Sequence, residues 1–250
     1  MNYFIKHIAF ALCLLVAPDA LATPLTTIKI PSQQYQLNYD HSVRVVTLLT
    51  AVNTTPGLIS THPFPLGFQL FDTNREPEAQ ELKQKVLEQL QGLAASEDKL
   101  SVSAQLLINQ IKRWDIGYRL FTSLDWDQVR IEAKHNPLLR GNYELILTQR
   151  YDHVFFEGLV FKPQSLALSR AKSLVDYTQK FPLLSSAHLS YAWVIYPDGH
   201  VQRVGYALWN EQLINLTPNS VVFFGFNSDD PIFTNLELDI VKLITMRKAQ

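Results

Sequence analysis

The stretch Leu124-Asp125-Trp126-Asp127 sets two carboxylates on either side of a tryptophan. Such a pair could cleave a glycosidic bond if the carboxyl groups faced each other across a sugar, roughly 5–9 Å apart. Glu132 is a further acid nearby, and Arg119 a cation five residues before the stretch begins. A cleavage reading requires Asp125, Asp127 or Glu132 to converge with Arg119 in one pocket. Asp125 and Asp127 alternate with apolar residues, so a turn or a solvated strand face is the simpler explanation.

Arg119 carries the strongest binding chemistry. It follows Gly117, where a helical segment gives way to strand-like sequence. A guanidinium offers a planar fork of donors suited to carboxylates, phosphates or sugar hydroxyls. The competing reading is a structural ion pair with Asp125 or Glu132. Trp126, Trp193, Trp209, Tyr118 and Tyr206 have faces on which sugars stack, although most aromatics on strands are core. Trp193 is expected in the core. Trp209, beside Asn210 and Glu211, is expected to be exposed. The histidines past the leader are His41, His62, His135, His153, His188 and His200, and none shows the i, i+4 spacing of a zinc helix. Ser185-Ser186 near His188 lacks the context of a nucleophile elbow.

These residues need elements to position them. Residues 26–30 and 34–39 read as short strands, and Ser42 as the cap of a helix over 43–53, a run whose Val and Thr content fits a strand as well. Pro77 opens a clearer helix with apolar residues at Ala79, Leu82, Val86, Leu90 and Leu93, closed at Gly92. Ser96 begins another, through Leu100, Ala104, Leu107, Ile111 and Trp114, closed at Gly117. A connection this short makes the two an antiparallel αα-hairpin. Strands are expected at 120–124, 129–133, 143–149, 153–161 and 221–226, and a helix at 169–180. Ala192–Tyr196 and Val201–Val204 meet at Asp198-Gly199, the pair that tight primed turns favour. A last amphipathic helix carries Leu236, Ile240, Leu243 and Ile244, with Arg247 and Lys248 at its end. That helix could dock on its own domain, on a partner, or on a membrane surface, where two flanking cations give little support.

The first residues read as an exported leader: Lys6, an apolar run over 8–17, Pro18, and Ala20-Leu21-Ala22, with cleavage expected after Ala22. The run is about half of what spanning a membrane needs. Cys13, the single cysteine, lies within it, which removes disulfides and thiolate chemistry from the rest of the chain. The leader holds one basic and one acidic residue, Lys6 and Asp19, so the net charge of −1 survives its removal. A near-neutral chain lacks the field that nucleic acid binding requires.

Against this background the chain resembles the GfcC-like capsule biosynthesis family. The resemblance lies in Tyr191-Ala192-Trp193-Val194-Ile195-Tyr196-Pro197-Asp198-Gly199, in Trp209-Asn210, and in Pro218 leading to Phe223-Phe224-Gly225-Phe226. It extends to Gly117-Tyr118-Arg119, Leu124-Asp125, Asn136-Pro137 and Leu139-Arg140-Gly141-Asn142-Tyr143. It covers about residues 100–245. The resemblance implies an α+β fold of two β-grasp (ubiquitin-like) domains, over residues 23–149 and 150–232. It also implies a helical hairpin inserted in the first at 75–116 and a C-terminal amphipathic helix at 233–250. It further implies a periplasmic protein of Gram-negative capsule or exopolysaccharide assembly or export, without catalysis, whose partner is a polysaccharide or a polysaccharide-export outer-membrane protein. Arg119, Tyr118, Asp125 and Trp209 form the candidate ligand-binding set, with no catalytic residue, metal or cofactor expected. The alternatives are a periplasmic glycan-cleaving enzyme and a structural adaptor working through the terminal helix.

Overall fold

The computed structural model describes residues 25–96, 100–169, 172–228 and 230–249. The leader expected over residues 1–22 lies outside the described residues.

The first half runs β1 (Thr26–Ile30), β2 (Tyr35–Tyr39), β3 (Val43–Arg44), α1 (Val45–Thr54) and β4 (Gln69–Asp72), then α2 (Glu76–Ala94) and α3 (Ser101–Lys112). It closes with β5 (Arg119–Leu120), α4 (Trp126–Ile131), β6 (Leu138–Leu139) and β7 (Gly141–Ile146). The second half is β8 (His153–Gly158), β9 (Gln164–Ala167), α5 (Leu174–Thr178), β10 (Tyr191–Ile195), β11 (Val201–Gly205), β12 (Val221–Phe224) and α6 (Pro231–Thr245).

Each half builds a five-stranded sheet. The orders are β2-β1-β7-β4-β5 and β11-β10-β12-β8-β9. In each, the first and last strands of the unit pair in parallel at the centre (β1 with β7, β8 with β12), and the other pairings are antiparallel. Numbered within its own unit, each sheet has the same strand order, with one helix crossing after the second strand. This is the β-grasp arrangement, present twice.

Several elements differ from the sequence expectation. Ser42 does not cap α1. The helix starts at Val45, and its first amides are met from across the chain, Val45 N by the Pro137 carbonyl and Val46 N by Asn136 Oδ1. Gly92 does not stop α2, which runs on to Ala94. A glycine costs a helix only about 1 kcal/mol relative to alanine, less than the packing of the turns around it returns. The strand expected over 129–133 is largely helix. Asp125 accepts hydrogen bonds from Asp127 N and Gln128 N and so caps α4, an order that the alternating Val129 and Ile131 disguise. Of the expected 120–124 strand only Leu120 lies in a strand, the two-residue β5, and the expected 169–180 helix shrinks to α5. Strand β9 had no counterpart in the sequence reading.

The packing holds a larger surprise. The apolar stripe of the α2–α3 hairpin, Ala79, Val86, Leu90, Ala104, Leu107 and Ile111, belongs to the same core as the second sheet and α6. The first sheet has a separate core around α1. A hairpin inserted into the first domain's sequence thus completes the second domain's interior. Gln110 fixes the contact: its buried amide donates to the Gly158 carbonyl and accepts from the Gly158 N–H, at 2.9 and 3.1 Å, as a neighbouring strand would. Gly158 has φ +90°, and a Cβ there would collide with the Phe224 carbonyl. The stripe of α6, Leu236, Ile240, Leu243 and Ile244, is buried in this same core, so the helix docks on its own chain. Each such side chain contributes about 1.5–3 kcal/mol of burial.

Candidate cleft at the domain junction

After α6 the chain turns back across the junction as a short strap. Gly117 N donates to the Met246 carbonyl and Lys248 N to that of Asp115, an isolated antiparallel bridge between Ile116 and Arg247. Gln69 of β4 grips the strap from the other side, donating to the Arg247 carbonyl and accepting from Ala249 N. Two ion pairs complete it. Arg247 reaches Glu157 of the second sheet at 2.8 Å, and Lys248 reaches Glu144 of the first at 2.8 Å. Burial pushes the Lys248 ammonium down, but the hydrogen bond and charge of Glu144 outweigh it and the net shift is upward.

Arg119 sits under this strap, only 5% exposed. It donates to the Pro197 carbonyl at the β10–β11 turn (2.6 Å) and to the Thr245 carbonyl at the last turn of α6 (3.2 Å). A cation is favoured at that helix end because unpaired carbonyls concentrate partial negative charge there. Burial lowers its pKa to about 10, with Asp198 opposing the shift, so it stays charged at neutral pH. Neither Asp125 nor Glu132 is its partner; it is held by carbonyl oxygens of the second domain.

Above Arg119 a cleft of about 380 Å³ opens between the domains. Trp114, Tyr151, Phe155 and Tyr196 line it with aromatic rings, and Arg113, Asp115, Arg119, Glu157, Arg247 and Lys248 with charged groups. The Arg247 guanidinium lies 5.4 Å from the Trp114 ring centroid. A second hollow of about 460 Å³ shares Thr148, Tyr151 and Lys248 with it. The volume falls within the range of small-ligand sites, and the mixture of aromatic faces with planar charged groups suits a sugar ring and its hydroxyls.

The other sequence-derived candidates lie elsewhere. Tyr118 is half-buried, with the Arg75 guanidinium 3.6 Å above its ring. The Asp125 carboxylate is occupied as the α4 cap. Trp209 is 78% exposed, as expected, on the loop after β11. Neither Asp125 nor Trp209 lines a cleft with Arg119. The acids required for glycan cleavage do not assemble either: Glu132 pairs with Lys134, and neither it nor Asp127 lines those clefts. Trp193 is partly buried against the core and donates its indole N–H to Glu237, and the Tyr206 hydroxyl donates to the His188 carbonyl. Trp126 lies against Arg130 and donates to Thr50. Among the described residues no cluster of three metal-ligating side chains forms, and no helix is long and apolar enough to cross a membrane.

Trp114, Tyr151, Glu157 and Arg247 were not singled out from sequence. Trp114 was assigned to the helical stripe, yet α3 ends at Lys112 and frees it to face the junction. Glu157 alternates with buried Phe156 and Gly158, a weak sign of a charge on the opposite sheet face.

Fold and cleft together define a two-domain α+β protein with twin β-grasp sheets and a ligand-sized cavity at their seam. Family models described as "Capsule biosynthesis GfcC, N-terminal" and "Capsule biosynthesis GfcC C-terminal" match residues 22–150 and 162–249, and the chain belongs to this capsule biosynthesis family. A stretch of 161 residues is 32% identical to the "Uncharacterized protein YjbG" of Escherichia coli K12, over 63% of this chain and 64% of that relative. The match therefore spans slightly less than two thirds of the relative's length.

Proposed function

We propose that the protein acts in the periplasm as a non-enzymatic factor of capsule or exopolysaccharide assembly or export, by holding a glycan segment at the domain junction. The cleft carries this reading: Trp114 and Tyr151 share its lining with charged and hydrogen-bonding groups. Family membership adds the biosynthetic context, and the leader expected at residues 1–22 adds the compartment. Proteins of the export machinery are the second class of partner.

The test is a deletion strain assayed for surface polysaccharide, together with retention of the parent strain's purified polysaccharide by the immobilised protein and pull-downs from the envelope fraction. Loss of surface polysaccharide, with retention that Trp114→Ala weakens, is expected. Normal surface polysaccharide in the deletion strain, with neither glycan nor export protein retained, overturns the proposal.

A further inference from the structure

Resting on the reading of the junction cleft as a glycan site, we infer that the cleft selects an acidic glycan, one bearing uronate-type carboxylates, over a neutral one. Four cations, Arg113, Arg119, Arg247 and Lys248, line it against two carboxylates, Asp115 and Glu157. Glu157 is committed to Arg247, and Lys248 is neutralised by Glu144 from outside the cleft wall. Within the cleft, Arg113 and Arg119 remain against Asp115, while Asp198 acts on Arg119 from a neighbouring hollow and forms no ion pair with it. Among the described residues neither arginine forms an ion pair.

Arg119 is the stronger of the two. Its hydrogen bonds go to neutral carbonyls, so its full charge persists where most of the surrounding water has been removed. At low effective dielectric a carboxylate gains far more from such a guanidinium than a hydroxyl does. Arg113 stands exposed at the rim, its Nε tied to the Asn109 carbonyl, and would attract the same charge from solvent. Trp114 and Tyr151 do not discriminate, since acidic and neutral pyranoses both present an apolar face. Discrimination falls to the two arginines.

Calorimetric titration of the full chain with two hexasaccharides of the same linkage, oligogalacturonate and maltohexaose, tests this at low salt and at about 0.3 M salt. Oligogalacturonate is expected to bind at least about tenfold more tightly at low salt, with the advantage shrinking as salt screens the charges. Arg113→Gln, a change at an exposed side chain, is expected to weaken oligogalacturonate by up to about fivefold and maltohexaose by clearly less, so that the ratio of the two affinities falls. Equal binding of the two sugars overturns the charge preference while the glycan reading stands. Binding of neither overturns both together.

Discussion

Arg119→Met replaces the buried guanidinium with an apolar chain of similar length and leaves the Pro197 and Thr245 carbonyls without their donor. Each hydrogen bond from a charged donor contributes about 1.5–3 kcal/mol net, so the two amount to about 3–6 kcal/mol. Because those contributions are already net of desolvation, the expectation is a loss of about 3–6 kcal/mol in urea unfolding followed by tryptophan fluorescence. Hydrogen exchange adds a local signature. The Gly117 and Lys248 amides, which bond across the strap to Met246 and Asp115, should lose protection before amides at the centre of either sheet, such as those of β1 and β12. Arg119→Lys keeps the charge but cannot fork to two carbonyls, and should recover less than half of the loss. A Met variant within about 0.5 kcal/mol of wild type, with the strap amides still protected, would refute the view that Arg119 latches the domains together.

Two further outcomes follow from buried groups. Glu237 accepts from Phe226 N and Trp193 Nε1 inside the second core, and burial raises its pKa above 4.5 although these bonds and Arg203 pull the other way. The native state therefore keeps its proton longer than the unfolded chain as pH rises past 4.5, and stability falls through that window. The stability advantage of wild type over Glu237→Gln should be larger at pH 4 than at pH 7; an advantage that grows with pH, measured by urea unfolding, contradicts this. Gly158→Ala imposes a side chain at φ +90° and drives its Cβ into the Phe224 carbonyl, so a loss of at least about 2 kcal/mol is expected in the same assay; a neutral effect would show that the β8 bend relaxes freely.

The sequence displayed what is local. Asp198-Gly199 marked its hairpin, with Gly199 at φ +90°, and the stripe from Ala79 to Leu93 marked α2, because turn chemistry and helical period are written in neighbouring residues. Short elements were lost. A single cap at Asp125 defines the six residues of α4, and Val129 and Ile131 gave the wrong period. The destination of the helical hairpin was also illegible, since an apolar stripe reveals that a face is covered but not by what. The cleft was the least legible feature. Its lining comes from segments around Trp114, Tyr151, Pro197 and Arg247, far apart in the chain and joined by tertiary contacts such as the strap and Arg119, and of the expected set only Arg119 lies there.

The placement of the α2–α3 hairpin affects how the polypeptide can reach its final state. Residues 76–112 leave the ribosome long before the strands and terminal helix that cover their apolar side. During synthesis that surface must wait, exposed or shielded by a chaperone, until α6 arrives. A truncation at the midpoint would strand it permanently, so the two sheets, alike as they are in plan, are halves of one cooperative unit and are not interchangeable modules.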